Sequence, residues 1–293
     1  MMSPPVYSNL LSRPTDILEE DYFHSAPFNL QVKAAAKNGV NFNLNAKQPA
    51  ANSPLETQIE SKVLDSYNGV TLTQGWSSSN NLKTKLEVAN LAPGLKSEVV
   101  ASMNPYTFIS GTSDKRSVDL NVNYIQPSFT ARGMFNFISG PTCFIGDATF
   151  GSNNMYAGAQ VNYNIATGAI AGYSMALSYI APDHTVGVQV DNNQVTTLAF
   201  SQILSEKLKV ASKAVLNPAV DLHKVMFEFG TQYQLDRLTD AYVKAKVNDS
   251  GAMAVSYQRR LIPGVTLGLG TSFNALNMDE PVHKMGLSLS FDA

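Results

Sequence analysis

The sequence predicts an all-β protein, a transmembrane up-and-down β-barrel of about 19 strands that follows an N-terminal amphipathic helix. Three observations lead to this fold class. Apolar and polar residues alternate strictly in many stretches, as in Val40 to Lys47, and this is the two-residue period of a strand. These stretches are mostly about 8–12 residues long, close to the 9–11 with which a tilted strand crosses hydrocarbon. Only 15% of the 293 residues are charged, against about 25% in soluble domains.

The alternation in Val40 to Lys47 has two structural interpretations. In a soluble β-sandwich, the apolar row would pack against a second sheet. In a membrane barrel, the same row faces lipid and the polar row faces a water-filled interior. The rest of the chain repeats this unit, so the function depends on which environment applies.

The composition excludes several classes of protein. The formal net charge is -2 and gives no sign of a nucleic-acid partner. Cys143 is the only cysteine, so no internal disulfide can form. The first 25 residues lack a basic region followed by a continuous apolar run, so we expect no secretory signal. No run of about 18 apolar residues occurs, so we expect no transmembrane helix.

The first 25 residues are predicted to form a separate domain, a broken amphipathic helix inside the pore, ahead of a barrel over residues 26–293. Apolar residues fall near helical spacing at Tyr7, Leu10, Leu11, Ile17, Leu18 and Tyr22. Pro14 should interrupt or kink this helix, and Thr15 is expected to cap a second piece after it. A frayed terminal helix without a role is the alternative interpretation.

From Phe28 onward, the sequence reads as strand, turn and strand, without a crossover helix. Asn38-Gly39, Asn68-Gly69 and Pro263-Gly264 are typical turn signals. The predicted strands span residues 28–36, 40–47, 55–64, 70–76, 82–89, 95–103, 115–125, 128–138, 142–150, 155–164, 168–180, 184–192, 194–202, 206–215, 224–233, 240–248, 251–259, 264–273 and 284–292.

No constellation for catalysis or cofactor binding stands out. The histidines are scattered, and none has the spacing of a metal ligand. Cys143 has no partner motif for nucleophilic chemistry. No paired carboxylates, catalytic triad or Walker-type phosphate loop are present. We therefore expect no enzymatic activity, no cofactor and no metal.

Several longer motifs resemble those of the mitochondrial porin family, the voltage-dependent anion channels, and are most similar to those of its fungal members. The motifs lie at residues 16–24, 72–76, 81–85, 92–96 and 263–286. They follow the family order over nearly the whole chain. Members of that family have 19 strands, so the strand count given above is not independent of the resemblance.

The resemblance implies a voltage-gated, weakly anion-selective diffusion channel of the mitochondrial outer membrane. It would pass ATP, ADP, phosphate and small metabolites. Its partners would be membrane lipids, permeant ATP, ADP and inorganic ions, and the outer-membrane import and assembly machinery, without nucleic acid. Association of several copies into a homo-oligomer is left open. Two alternatives remain: a protein-import β-barrel pore of the same membrane, and a soluble lipid-binding or structural β-protein.

The polar rows of the strands carry more basic than acidic residues. Fifteen basic side chains lie on these rows: Lys33, Lys47, Lys62, Lys83, Lys85, Lys96, Lys115, Arg132, Lys207, Lys209, Lys213, Lys224, Lys244, Lys246 and Lys284. Nine acidic side chains accompany them: Glu56, Glu60, Glu87, Glu98, Asp119, Asp147, Asp191, Glu228 and Asp292. The predicted wall is thus near +6, which favours passage of anions.

Two short motifs gain a role only from the resemblance. Gly94-Leu95-Lys96 resembles a segment that the family associates with nucleotide contact, although a turn into a strand explains these residues equally well. The ending with Lys284, Gly286, Leu289 and Phe291 resembles the signal that mitochondrial barrels carry for membrane insertion. As plain structure, it is one more strand.

The chain departs from animal members in two places. Gln74 stands where many of them carry a lipid-facing acid, so behaviour tied to that acid should be absent. The helix assigned to gating carries Arg13, Asp16, Glu19 and Glu20, and is acidic where animal helices are basic. We therefore predict a weaker anion preference than in an animal relative.

Overall fold

A computed structural model gives the coordinates, and it describes residues 3–36, 39–50, 52–65, 67–106, 116–138, 142–219, 225–278 and 283–292. The described strands are β1 (Phe28–Ala35), β2 (Val40–Gln48), β3 (Glu56–Asp65), β4 (Val70–Ser77), β5 (Leu82–Ala92), β6 (Leu95–Met103), β7 (Ser117–Ile125), β8 (Phe129–Asn136), β9 (Cys143–Ser152), β10 (Met155–Asn164), β11 (Ala169–Ile180), β12 (His184–Asp191), β13 (Thr196–Ile203), β14 (Leu208–Leu216), β15 (Val225–Asp236), β16 (Ala241–Asn248), β17 (Ala252–Ile262), β18 (Val265–Asn274) and β19 (Lys284–Asp292).

The 19 strands form a single sheet in which each strand pairs with the next along the chain. β1 also pairs with β19, so the sheet closes into a barrel. The pairs from β3 to β10 and from β12 to β19 are antiparallel. This topology confirms the predicted fold class.

The chain divides into two compact units. The first unit comprises Met1–Leu10, Lys33–Leu44 and Glu56–Ala176, and the second comprises Leu11–Val32, Asn45–Leu55 and Leu177–Ala293. In each unit, part of the N-terminal segment (residues 3–26) lies on one face of the strands. We call this face the inner face and the opposite one the outer face.

The outer face exposes large apolar side chains in both units. In β10 of the first unit, exposed and less exposed residues alternate without a break, and Met155, Val161 and Tyr163 are all exposed. In β12 of the second unit, Val186 is exposed while its neighbour Thr185, on the inner face, is buried. Apolar surface of this extent is stable only against an apolar medium, so the outer face suits a lipid bilayer.

The N-terminal segment contains one α-helix, α1 (Ser12–Leu18), which lies between two short 3₁₀ helices at Tyr7–Asn9 and Phe23–Ser25. The six apolar residues predicted to share one face are all buried, namely Tyr7, Leu10, Leu11, Ile17, Leu18 and Tyr22. The described residues include no helix with the length and apolar character needed to cross a membrane.

The expectation that Pro14 interrupts the helix is wrong. Pro14 is the third residue of α1, and in the first turn a residue has no intrahelical acceptor for its N–H, so a proline is tolerated. Thr15 does not cap a second piece, because its hydroxyl donates to the carbonyl of Leu11 at 2.9 Å. The interruption lies instead before Ser12, where α1 begins without a side-chain cap.

Two turns between strands require glycine because of their backbone conformation. Gly94 follows β5 with φ +79°, and Gly264 follows β17 with φ +83°. A Cβ at Gly94 would also collide with the carbonyl oxygen of Ile125, so both the backbone conformation and the close approach require glycine. In the predicted Asn38-Gly39 turn, Asn38 lies outside the described residues.

Candidate functional site

In the first unit, residues 3–10 are fixed to the inner face by hydrogen bonds and apolar contact. The Thr130 hydroxyl donates to the carbonyl of Pro4 at 2.6 Å, and the Tyr7 hydroxyl donates to Ser174 Oγ at 2.8 Å. Tyr7 and Leu10 pack against Ala176. The contacts combine buried apolar surface with satisfied polar groups, so this part of the segment has a defined position.

In the second unit, α1 packs its apolar side onto β14. Ile17 and Leu18 form a buried cluster with Ala211, and Leu18 is fully buried. At the start of the helix, Arg13 Nη1 donates to the carbonyl of Ala181 at 2.5 Å. The helix of seven residues is too short to be stable alone, so these contacts hold it in place.

Glycines within the strands make room for the segment. A Cβ at Gly158, in the first unit, would lie 2.9 Å from both Tyr7 and Leu10. In the second unit, a Cβ at Gly230 would lie 2.7 Å from Leu18. An isolated glycine inside a strand often marks a close approach of backbone, and this signal could have located the contact from sequence.

Glycines of the strands also make room for the end of the segment, at the 3₁₀ helix Phe23–Ser25. A Cβ at Gly268 would lie 2.5 Å from the Phe23 ring, and one at Gly270 would lie 2.6 Å from the backbone nitrogen of His24. A Cβ at Gly286 would collide with the carbonyl oxygens of Phe23 and Ala26. Gly286 of the predicted insertion signal therefore has a structural role in β19.

Charged groups of the second unit's inner face meet the acidic end of the segment. Lys213 Nζ lies 2.7 Å from Glu19 Oε1. Lys244 Nζ donates to the carbonyls of Asp16 at 2.8 Å and Glu20 at 3.1 Å, and lies 3.4 Å from a carboxylate oxygen of Asp21. The segment thus neutralises part of the basic wall of this unit.

Two aromatic groups complete this contact. The Tyr242 hydroxyl donates to Asp21 Oδ2 at 2.9 Å. Lys246 Nζ lies 4.8 Å from the centre of the Tyr22 ring, a cation–π distance. Burial, and then the negative charge of Glu228, raise the pKa of Tyr22, so its hydroxyl stays protonated.

His24 lies among positive charges. Burial lowers the pKa of His24, and the charges of Lys246 and Lys284 lower it further. At neutral pH, this imidazole is therefore uncharged. It contributes nothing to the positive charge of the inner face.

Ion pairs also occupy the inner face of the first unit. Lys85 Nζ lies 2.5 Å from Glu87 and 3.1 Å from Glu98. Arg132 contacts Asp147 Oδ2 through Nε at 2.7 Å and through Nη2 at 2.6 Å. Sequence reasoning placed these groups on the polar rows but did not identify the pairs, because each pair joins residues of different strands or of alternate positions.

The basic residues predicted to line a pore lie mostly in strands: Lys33 in β1, Lys47 in β2, Lys62 in β3, Lys83 and Lys85 in β5, Lys96 in β6, Lys209 and Lys213 in β14, and Lys244 and Lys246 in β16. Lys207 lies in the turn before β14, because that strand begins at Leu208. Lys115 and Lys224 lie outside the described residues.

The two short motifs have different surroundings. Leu95 begins β6, and Lys96, which pairs across the sheet with Asn123, is exposed. In β19, Lys284, Gly286, Leu289 and Phe291 pair in register with β18. The turn at Gly94 and the strand β19 account for these residues as structural elements.

A sequence model of the family described as eukaryotic porin matches residues 3–286. The chain belongs to this family. The match confirms the resemblance and includes the whole N-terminal segment, residues 3–26.

Curated relatives cover the whole chain. The non-selective voltage-gated ion channel 1 of Saccharomyces cerevisiae is 45% identical over 292 residues, which is 100% of either chain. The mitochondrial outer membrane protein porin of Candida albicans is 35% identical over 294 residues, again with 100% of both chains covered. These relatives support a fungal mitochondrial member of the porin family.

A solved structure supports the barrel. A mutant of the Rh. blastica porin superposes with a TM-score of 0.52 and 9% identity, covering 87% of this chain and 100% of that chain. At this identity, the likeness concerns the fold alone. It agrees with the closed sheet described above.

Proposed function

We propose that this porin is a voltage-gated, weakly anion-selective diffusion channel that passes ATP, ADP, phosphate and small metabolites. It is a voltage-gated channel of the mitochondrial outer membrane, in keeping with relatives named as a voltage-gated ion channel and as outer-membrane porins. The observation that carries the proposal is a closed sheet with exposed apolar residues outside and charged residues inside. Family membership favours this function over a protein-import pore.

The selectivity follows from charges on the inner face. In the second unit, Lys209, Lys213, Lys244, Lys246 and Lys284 lie on strands of this face. A positive wall concentrates anions and favours their passage. The acidic segment offsets part of that charge through Glu19 and Asp21, so the preference for anions is weak.

Gating requires charge to move in the membrane field. One elementary charge moved through 100 mV gains about 2.3 kcal/mol, so a few charges suffice to make closure depend on voltage. The candidate charges are Arg13, Asp16, Glu19 and Glu20 on the segment. A change in their position would change both the width and the charge of the pathway.

The proposed function also has consequences for chemistry and for partners. The protein catalyses no reaction and needs no cofactor or metal. Its partners are membrane lipids, permeant ATP, ADP and inorganic ions, and the import and assembly machinery that would read Lys284, Gly286, Leu289 and Phe291 in β19. Lys96, exposed after the turn at Gly94, attracts phosphate as a point charge.

Planar-bilayer recording of the purified protein tests the proposal. We expect a large conductance that falls at both signs of voltage. Under a potassium chloride gradient, the reversal potential should indicate a weak preference for chloride. A protein that gives no conductance in the bilayer, or a conductance independent of voltage, would overturn the proposed function. A strong preference for chloride would overturn the proposal that the anion selectivity is weak.

A further inference from the structure

Lys244 has an environment unlike that of the other lysines on the inner face. Among the residues that the structure describes, only Asp147 and Lys244 are both charged and buried. Lys244 is 3% exposed. A buried ammonium is stable only where acceptors replace the water that it has lost.

The acceptors of Lys244 all belong to the N-terminal segment. They are the carbonyl oxygens of Asp16 and Glu20 and the carboxylate of Asp21, at 2.8, 3.1 and 3.4 Å. Helix α1 ends at Leu18, and the last carbonyls of a helix have no intrahelical donor. The ammonium therefore caps the C-terminal end of α1, where a positive charge is also favoured by the helix dipole.

The neighbouring lysines hold the segment less firmly. The pair of Lys213 and Glu19 is exposed on both sides, at 28% and 48% of the side-chain surface, so water and salt screen it. Lys246 faces Tyr22 but also lies 2.9 Å from Glu228 of the adjacent strand. Its charge is thus compensated by a carboxylate outside the segment, whereas outside the segment, among the described residues, Lys244 faces only the ring of Tyr242, whose centre lies 5.8 Å from its Nζ.

We propose that Lys244 is the anchor that positions the N-terminal segment on the inner face of the second unit. Two of its three acceptors are main-chain carbonyls, so the contact depends on the presence of the segment more than on its side chains. If the protein is the voltage-gated channel proposed above, on which this part of the inference rests, Lys244 is also a positioning residue for gating. Loss of its ammonium releases the end of α1 and alters the voltage at which the channel closes.

Limited proteolysis of the full chain in detergent tests the anchor. We expect a glutamate-specific protease to cleave after Glu19 or Glu20 only when the segment leaves the wall, because cleavage requires local opening of the backbone. Lys244→Met keeps an unbranched side chain that is one heavy atom shorter and removes the ammonium. Since a hydrogen bond to a charged group shifts an equilibrium by about tenfold or more, cleavage should accelerate by at least about tenfold.

Two further variants make this result specific. Lys209→Met removes a lysine from the same face, two strands away and in register through Gln232, and should leave the cleavage rate unchanged. Lys244→Arg restores hydrogen-bond donors and should slow cleavage again. An unchanged rate in Lys244→Met, an equal acceleration in Lys209→Met, or no rescue by Lys244→Arg would each overturn the proposal.

A measurement on the wild-type chain requires no substitution. Acylation by an amine reagent, followed by mass spectrometry, should modify Lys244 about tenfold or more slowly than the exposed Lys209, because reaction requires the segment to open first. Equal rates would contradict the anchor. This test remains decisive if Lys244→Met does not fold.

Bilayer recording separates the anchor from the function. If the wild-type chain shows no voltage-dependent conductance but proteolysis responds as expected, the proposed function fails and the anchor stands. If the wild-type chain gates but proteolysis does not respond, the anchor fails alone. If Lys244→Met is cleaved rapidly yet closes at the wild-type voltage, the role of Lys244 in gating is wrong.

Discussion

Replacing Arg132 with methionine is expected to destabilise the barrel more than any other single removal of an inner-face lysine or arginine in the first unit. Its partner Asp147 has only 1% of its side chain exposed. Both contacts of the guanidinium reach the same oxygen, Oδ2, and Oδ1 of Asp147 is buried without a hydrogen-bond partner. The variant leaves a buried carboxylate without compensation, which costs about 3–5 kcal/mol.

A variant that replaces both Arg132 and Asp147 shows whether the loss of stability comes from the unpaired buried carboxylate or from the loss of the ion pair itself. Replacing both members of a buried pair by apolar residues of similar size is often neutral or stabilising. We therefore expect Arg132→Met combined with Asp147→Leu to unfold within about 1 kcal/mol of the wild type. Asp147→Leu alone should cost less than Arg132→Met, because the guanidinium is 20% exposed and can turn toward water.

Guanidinium chloride unfolding in detergent, followed by circular dichroism, measures these free energies. Lys96→Met is the matched control, since Lys96 is exposed on the same face, and it should change the free energy of unfolding by less than about 0.5 kcal/mol. The reasoning is refuted if Arg132→Met loses less than about 1 kcal/mol, or if the double variant is as unstable as Arg132→Met.

Three other predictions test the segment and a turn. Leu18→Ala should weaken docking of the segment by about 2–5 kcal/mol, because Leu18 is fully buried; an unchanged rate of glutamate-specific cleavage would contradict this. Gly94→Ala should lower the unfolding midpoint, since its φ is +79° and a Cβ would meet the carbonyl of Ile125; a midpoint equal to wild type would refute the turn argument. Glu19→Gln combined with Asp21→Asn removes two negative charges from the inner face and should shift the reversal potential toward stronger anion selectivity; a shift toward cations would reverse the assigned role of the segment.

The sequence could predict the strands because their signal is local. A strand that has water on one face and lipid on the other repeats every two residues, and this period can be read directly, as in β10. The six apolar residues of the N-terminal segment were likewise predictable and are all buried. At the start of β14, predicted at residue 206 and observed at Leu208, an error of two residues placed Lys207 in the strand, whereas it lies in the preceding turn.

The position of the break in the N-terminal segment was not predictable from proline alone. Pro14 is compatible with the first turn of α1, and the start of that turn is decided by packing of Leu11 and Leu18 on the wall. A short helix without a side-chain cap has no strong local signal for its first residue. Tertiary contact therefore determined where it begins.

By itself, the sequence predicted the strands, their apolar rows and the excess of basic residues on the polar rows, because each follows from residue type and alternation; the choice of a membrane barrel over a soluble sandwich came from the resemblance to the porin family. Only the tertiary structure decided which charges meet. Lys244 and Asp16 are separated by 228 residues, and nothing in either local sequence distinguishes that lysine from Lys209 or Lys213. Closure of the sheet and docking of the segment bury one ammonium and leave the others in contact with water, and this difference in solvation gives Lys244 its separate role.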